Sequence, residues 1–583
     1  MSTQLDLADI QGNILRAYGK QKFPKARYLF LHFMEGPLHA ARARAFVEGL
    51  RGDITTAIRW QEELTEEAKI TARAAAAGGR RPRVSAAIKA HVEKDYPGDL
   101  TARRPMVAIN IAFTFMGLLM LEVPTRTLQS LPQEFIDGMS RRATTLGDPE
   151  EGAIADPERG IAADNRDDIW KRSHGGLRVH AMIALNAQME QLTGETVPEL
   201  EAQTQRLIAL KDASGGSVIL LEGHRGASPR WQDASALIEF NPNGFDADGK
   251  ARYRPKAKEH FGFADGLGDP VFEGQYTPAA MALRKIGGGK IEPGPERKWA
   301  PLATGEFLLG YPDEAQEIPD AAIPIEFSRN GTFMAFRKLH QNVGTFKDHI
   351  AGQAPGFGRA AGIGDPIEAA ALLMAKMAGR WCDGEPLARA PDHAARERFR
   401  AEMKQAQETQ NSGIIAKAAL KYVDFDYRGD LDGAACPLGS HLRRANPRDA
   451  LGPTGDFDGS VLTNRRRILR RGLPYGAEVA DDGSEHGVIF MAVCASLFRQ
   501  FEFVQQQWIQ YGLDFDAGND TCPMLGNHGR SSKFVVPAKP DGTAQPFISG
   551  PLPQFVECRG GDYFFIPSMT ALRLIGAGII DPT

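Results

Sequence analysis

Cysteine is scarce in this chain of 583 residues, and its five cysteines form no recognisable pairs. There is no CxxC pair and no CxxCH motif, which argues against a zinc knuckle and against covalently attached c-type haem. The odd number of cysteines also argues against a disulfide framework. We therefore expect reduced thiols, as is usual for a cytoplasmic protein.

Long apolar runs are also missing. The longest run without a charged residue covers positions 106–121 and contains Asn110. Because a membrane span needs about 20 predominantly apolar residues, no span is predicted. The opening MSTQLDLADIQGNIL has no basic region followed by an apolar one, so no export signal is visible. These features predict a cytoplasmic protein with no membrane partner.

Neither sign of charge dominates, since 69 basic and 73 acidic side chains give a formal net charge of -4. This balance argues against a large nucleic-acid footprint. The common signatures GxSxG, GxxxxGKS/T and HExxH are absent, and no GxGxxG follows a clear strand. The 13 histidines include no HxH pair and no pair four residues apart, so their spacing predicts no histidine metal cluster.

The spacing of apolar residues predicts short strands that alternate with helices, and this arrangement occurs twice along the chain. The strands are predicted at 25–34, 106–112, 177–186, 217–223, 331–336, 487–494 and 562–566. The helices are predicted at 38–50, 188–212, 343–352, 366–381, 392–420 and 496–510. The order β, α, β, β, α, β favours an α+β fold over a doubly wound sheet.

This pattern divides the chain into two halves joined by a connection. The N-terminal half is predicted over 1–284, with an exposed helical insertion at about 60–104 that is rich in Glu, Lys, Arg and Ala. Residues 285–325 contain many Gly and Pro residues and are predicted to be a long connection. The C-terminal half then covers 326–583.

The first cluster that could carry chemistry is EHFGFADGLGDP at 259–270. Its glycines permit a tight turn and the close approach of another group to the backbone. Asp265 lies between them in an aromatic setting, where burial would raise the pKa of a carboxyl group that lacks a partner. A turn aspartate with flanking glycines is the simpler explanation.

Two further clusters are rich in arginine. CPLGSHLRRANPR at 436–448 places His441 beside cations, which favours the neutral imidazole that binds metals. RRRILRRGLPYG at 465–476 has five arginines, and in an extended chain one of them can point inward while its neighbours stay in water. The simpler explanations are a structural histidine and an exposed basic strand.

In combination, these clusters make the sequence resemble the dye-decolourising (DyP-type) haem peroxidase family. GFADG at 262–266, HLRRANPR at 441–448 and RRRILRRGLPYG at 465–476 carry the resemblance. Supporting stretches occur in the family's order at 9–15, 305–314, 330–339, 379–381, 499–508 and 560–568. The resemblance implies two ferredoxin-like halves with packed antiparallel sheets, of the dimeric α+β barrel type, with haem in the C-terminal half.

The resemblance also implies a site with one haem b per chain. His441 matches the proximal iron ligand, Asp265 the distal aspartate and Arg470 the distal arginine. Further contacts to the cofactor are expected from Phe263, Gly266 and Arg443. A carboxylate usually accepts the second hydrogen bond of such a histidine, and Glu502 is the candidate.

Other residues are candidates by charge or position. Arg444 and Arg337 could join Arg443 in binding the haem propionates. Trp381, Trp508, Tyr475 and Tyr511 are candidates for electron relays, and packing is the simpler explanation for each.

The function implied is a peroxidase that reduces hydrogen peroxide and oxidises dyes, phenols or other one-electron donors, as a monomer or homodimer. Asp265 would move a proton of the peroxide, and Arg470 would stabilise negative charge as the O–O bond breaks. The alternatives are a haem-binding or iron-handling protein with little turnover, and a haem-free relative. Asp265 and Arg470 favour the enzyme, and His441 speaks against a haem-free protein.

Overall fold

The computed structural model describes most of the chain. The described residues are 4–20, 22–63, 101–158, 160–172, 174–245, 249–293, 297–319, 321–451 and 458–578. Most of the insertion predicted over 60–104 lies outside these ranges, so its helical character stays a prediction.

The strands of the described ranges are mostly short, and the longest of them build the central sheet. They are β1 (Lys25–Phe33), β2 (Arg59–Trp60), β3 (Thr101–Ala102), β4 (Val107–Phe113), β5 (Ala181–Ala187), β6 (Val218–Leu220), β7 (Gln232–Ser235), β8 (Leu237–Phe245), β9 (Ala251–Lys256), β10 (Lys290–Glu292), β11 (Lys298–Ala300), β12 (Thr332–Gln341), β13 (Leu469–Arg471), β14 (Pro474–Tyr475), β15 (Gly487–Cys494), β16 (Phe534–Val536), β17 (Phe547–Ser549) and β18 (Val556–Ile566).

The α-helices range from single turns to 19 residues. They are α1 (Gly12–Leu15), α2 (Pro37–Arg51), α3 (Phe115–Met120), α4 (Thr125–Gln129), α5 (Gln133–Asp137), α6 (Ala143–Leu146), α7 (Pro198–Asp212), α8 (Pro278–Gly288), α9 (Ile325–Ser328), α10 (Val343–Ala361), α11 (Pro366–Ala378), α12 (His393–Glu408), α13 (Ser412–Ala419), α14 (His441–Ala445), α15 (Asp458–Asn464) and α16 (Met569–Ala577). Two consecutive π-helical segments, Leu497–Glu502 and Val504–Ile509, follow β15. No helix in the described ranges is both long enough and apolar enough to cross a membrane.

Ten of these strands form one antiparallel sheet that repeats the same unit twice. In the first unit β1, β4, β5 and β6 lie in the order β4-β5-β1-β6, and in the second β12, β13, β15 and β18 lie in the order β13-β15-β12-β18. Both are ferredoxin-like arrangements with the main helices between strands. The units join where Phe113 of β4 pairs with Phe565 of β18.

Side chains of the central strands are buried on both faces of the sheet, because successive strand residues point to opposite sides. On β1, Tyr28 and Phe30 lie in an inner core that both units share, whereas Leu29 and Leu31 lie in an outer core with helix residues. The ring of Phe336 on β12 lies 5.9 Å from Tyr28 and 5.2 Å from Phe30, measured between centroids. The two half-sheets therefore face each other across one core, and the predicted α+β barrel fold is confirmed.

Most predicted elements occur, and the helical stretch predicted over 392–420 divides into the two helices α12 and α13. Helix α12 ends before Gln410, whose φ of +51° does not fit a helix. The side chain of Asn411 then accepts hydrogen bonds from the backbone N–H groups of Gly413 and Ile414, which starts α13. The stretch 285–325, predicted as a connection, contains the β10–β11 hairpin.

Candidate functional site

A cavity of about 490 Å³ lies between the two units. Asp265, His441 and Arg470, which are far apart in the sequence, all line it. Phe263 and Gly266 line it as well. The volume falls within the ~300–1,000 Å³ typical of cavities that hold ligands or cofactors.

The loop that carries Asp265 is stabilised by hydrogen bonds to Glu259, a residue that the sequence analysis did not identify. One carboxylate oxygen of Glu259 accepts the backbone N–H of Phe261 at 2.8 Å and the side chain of Gln341 at 2.5 Å, and the other accepts the backbone N–H of Phe263 at 2.9 Å. Gly262, with a φ of +96°, provides the turn between these two N–H groups. Burial raises the pKa of Glu259 above its ordinary value despite these hydrogen bonds.

Arg470 is presented by the short strand β13, where it lies opposite Ala492 of β15. Its neighbour Leu469 is buried in the inner core, so Arg470 points to the other side, toward the cavity. Arg471 fixes the end of the strand, since its guanidinium donates to the carbonyl oxygens of Asn13 at 2.8 Å and Ile14 at 2.7 Å. The DIQGNIL stretch at 9–15 therefore supports the strand that carries Arg470.

Asp265 and Arg470 meet at the cavity wall. The guanidinium of Arg470 donates to Asp265 Oδ1 at 3.1 Å, and the backbone N–H of Gly266 donates to the same oxygen at 2.6 Å. The two side chains are 44% and 42% exposed, so both polar groups are accessible within the cavity. Partial desolvation in the cavity lowers the pKa of Arg470, but the nearby carboxylates of Asp265 and Asp269 outweigh it and raise that pKa above its ordinary value, so the guanidinium stays charged.

His441 is the first residue of α14 and lies on the cavity lining. Its Nδ1 atom lies 3.3 Å from the sulfur of Cys522. Glu502, the candidate partner from the sequence, is not brought to His441. Its carboxylate instead accepts hydrogen bonds from Arg142 at 2.6 and 2.9 Å and from the hydroxyl of Tyr563 at 2.7 Å.

The structure does not bring Arg443 to the cavity. Arg443 is 1% exposed, and its guanidinium donates to the side chain of Asp430 at 3.0 Å and to the carbonyl oxygen of Cys436 at 2.7 Å. Arg444 is likewise turned away, toward the carbonyl oxygens of Trp508 and Tyr511.

Other arginines line the cavity instead. Arg337 does so, and it is paired with Asp148. Arg380 and Arg467 also line the cavity, are 8% and 6% exposed, and each has a buried Nη2 atom without a hydrogen-bond partner. Neither forms an ion pair within the described ranges.

Burial and the nearby Arg448 lower the pKa of both Arg380 and Arg467 to about 9. Two buried cations with unpartnered donors fit an anionic ligand, because an arginine binds a carboxylate through paired N–H groups. The sequence contained both residues in motifs that were recognised, GRW at 379–381 and RRR at 465–467, but offered no sign of their burial.

The remaining lining is largely apolar. It includes Leu339, Phe490, Met491, Val504, Ile509 and Met524. Within the described part of the chain, no group of three or more His, Cys, Asp or Glu side chains is placed to hold a metal ion. A planar apolar cofactor with carboxylate groups, whose own metal needs one protein ligand, fits this lining.

Of the four relay candidates, only Tyr511 reaches the surface, at 42% exposure. Trp381, Trp508 and Tyr475 are each at most 2% exposed, and the indole N–H of Trp508 donates to Asp514. Their packing gives no sign of a relay.

Fold and site together define the class of the protein. It is an α+β barrel with a cofactor-sized cavity, lined by a histidine, an aspartate–arginine pair and two buried arginines that form no ion pair with the described residues. The comparisons with known proteins agree. Residues 9–218 match the model of the DyP dimeric α+β barrel domain, and residues 313–540 match that of the C-terminal part of Dyp-type peroxidases. The chain belongs to the dye-decolourising (DyP-type) peroxidase family, and it is an oxidoreductase of the peroxidase class.

Named relatives come from fungi and bacteria. The chain is 27% identical over 489 residues to the dye-decolorizing peroxidase AauDyP1 of Auricularia auricula-judae, which covers 81% of this chain and 76% of the relative. It is 29% identical over 413 residues to the multifunctional dye peroxidase DyP2 of an Amycolatopsis species, covering 66% and 75%. The crystal structure of a fungal DyP-type peroxidase from Auricularia auricula-judae superimposes with a TM-score of 0.63 at 22% identity, covering 98% of this chain and all of the other.

Proposed function

We propose that this protein is a haem b peroxidase that reduces hydrogen peroxide to water and takes the electrons from dyes, phenols or similar one-electron donors. Peroxidases of this family depend on haem, and the cavity lining fits that cofactor. The observation that carries the proposal is the contact of Asp265 with Arg470 in the same cavity as His441. A haem carrier has no use for such a pair.

In this proposal His441 binds the iron through Nε2, since its Nδ1 atom faces Cys522. Arg380 and Arg467 would bind the carboxylate groups of the cofactor, and the apolar lining would exclude water around it. When bound, haem would supply the redox chemistry that links peroxide reduction to the oxidation of one-electron donors.

The protein's own part in peroxide cleavage falls to Asp265 and Arg470. A carboxylate oxygen of Asp265 takes a proton from one oxygen of peroxide and returns it to the other, which then leaves as water. Arg470 stabilises the negative charge that develops on the departing oxygen, and the neighbouring Asp265 keeps its guanidinium charged. Two protons and two electrons are then needed to release the second water, and the electrons come from the donor.

The test is a pair of absorption spectra of the purified protein, before and after one equivalent of hydrogen peroxide. A haem spectrum that changes with peroxide and returns when a phenol or dye is added supports the proposal. Haem that binds but does not respond to peroxide would favour the iron-handling alternative. His441→Ala is expected to lose most of the bound haem, and a normal haem spectrum in that variant would remove His441 as the ligand.

The division into halves at 1–284 and 326–583, the monomeric or homodimeric state and the cytoplasmic location stay predictions. Size-exclusion chromatography with light scattering distinguishes a monomer of 63.5 kDa from a homodimer.

A further inference from the structure

The group behind His441 is a sulfur atom, although a carboxylate was expected there. We propose that Cys522 positions His441 as an iron ligand by accepting a hydrogen bond from Nδ1–H, and that this sulfur acceptor leaves the imidazole a weaker electron donor to the iron than a carboxylate partner would. The inference rests on the proposed function, because it needs haem bound through His441.

The position of the sulfur is fixed by the backbone of Cys522. The backbone N–H of Cys522 donates to the carbonyl oxygen of Ile509 at 2.7 Å. Its carbonyl oxygen accepts from the backbone N–H of Gly526 at 2.9 Å and contacts Nε2 of His528 at 2.9 Å. The residue is fully buried. Such an anchored side chain can orient the ring of His441, whereas a mobile surface residue could not.

The contact also selects which ring nitrogen faces the cavity. An imidazole that binds iron through one nitrogen carries its hydrogen on the other. Nδ1 of His441 lies 3.3 Å from the sulfur of Cys522, which leaves Nε2 for the metal. With Nε2 on the iron, Nδ1 carries the hydrogen and the sulfur is its acceptor. Sulfur is a weak hydrogen-bond acceptor.

Two acids that could have served as the partner are engaged with other groups. Glu502 is held by Arg142 and Tyr563, and Asp520, two residues before Cys522, is paired with Lys533 at 2.9 Å. Outer hydrogen-bond partners raise the basicity of a metal-bound imidazole, and a carboxylate does so most. With sulfur as the acceptor, the imidazole stabilises ferric iron less, so the reduction potential of the iron is higher than with a carboxylate.

The test compares Cys522→Asp, Cys522→Ser and Cys522→Ala in haem-loaded protein. We measure the ferric/ferrous midpoint potential by spectroelectrochemistry and the iron–histidine stretching frequency of the ferrous form by resonance Raman spectroscopy. Cys522→Asp is expected to lower the potential and raise the frequency. Cys522→Ala is expected to do the reverse, with a broader band because the ring is no longer oriented. Cys494→Ser is the matched control, because Cys494 is also fully buried but lies on β15, where its backbone pairs with Phe333.

A second measurement needs no haem. In haem-free protein, ¹⁵N NMR of His441 is expected to show the Nδ1–H tautomer, and Cys522→Ala is expected to lose that preference. Should Cys522→Asp fold poorly, Cys522→Ser and Cys522→Ala still decide the question. If both variants keep haem on His441 and show no change in potential, stretching frequency or tautomer, the proposed role of Cys522 is refuted while the proposed function still stands. Haem that is absent, or bound by another residue, would overturn the proposed function as well.

Discussion

Acid should destabilise this protein partly through His180, whose buried ring is held neutral by its surroundings. His180 is 3% exposed, its Nδ1 accepts the backbone N–H of Phe33 at 3.0 Å, and its ring stacks on His32 at 4.3 Å. Burial, and after it His32, lower the pKa of His180 to about 3. Protonation of Nδ1 would also break the hydrogen bond to Phe33.

The size of the effect follows from the difference between the folded and unfolded pKa values. In the unfolded chain a histidine titrates near its ordinary pKa of about 6.5. Below that pH the unfolded state binds a proton that the folded state does not, so the free energy of unfolding falls by up to about 1.4 kcal/mol per pH unit. The loss begins near pH 6.5 and ends near pH 3, where the folded ring is protonated too. At pH 4 it amounts to about 3 kcal/mol, a large part of the typical ~5–15 kcal/mol of a folded protein.

The perturbation that tests this is His180→Asn, in which the amide oxygen can still accept the N–H of Phe33. Urea unfolding is followed at several pH values between 7 and 4, with His39→Asn as a control that removes a ring only partly buried on α2. The free energy of unfolding of His180→Asn should fall less steeply with acid than that of the wild type, by about 3 kcal/mol at pH 4. Parallel pH dependences for the wild type and His180→Asn would refute the reasoning.

The remaining predictions concern the cavity. Arg470→Leu should keep haem but react with peroxide at least ~100-fold more slowly in stopped-flow measurements, because it removes the group that stabilises developing charge; unchanged kinetics would exclude Arg470 from the step. Glu259→Gln places an amide against two backbone N–H groups, so a loss of about 1–3 kcal/mol in unfolding free energy and slower peroxide reduction are expected, and an unaffected variant would show that the loop needs no such support. Exchanging Arg467 for Leu should speed haem loss about tenfold or more in transfer to apomyoglobin, whereas equal rates would mean that the propionates bind elsewhere.

The barrel could be predicted because its strands have distinctive apolar patterns. The strand predicted over 487–494 has these same limits in the structure, and the helix predicted over 366–381 begins at Pro366 and ends at Ala378. Asp365 caps its first turn, and Gly379, with a φ of +91°, ends it. Local signals of this kind are contained in a few neighbouring residues.

Features that depend on distant contacts were missed or wrong. The helix predicted over 496–510 is π-helical, and only packing against other elements could specify that. Glu502 was a plausible partner for His441 by sequence, but Arg142, 360 residues away, and Tyr563 bind it. Cys522 lies 81 residues from His441, and no spacing rule links a lone cysteine to that histidine. Which arginine reaches the cavity was equally a matter of tertiary structure.

The position of β18 has a consequence for biosynthesis. This strand lies between β12 and β4 in the sheet, although it is formed from residues 556–566, close to the last described residue. Until β18 has been synthesised, β4 of the first ferredoxin-like unit is an open edge strand. In the second unit, β12 is then paired on one side only. The barrel closes only after residue 566 has emerged, so both units have to be synthesised before the cavity between them is complete.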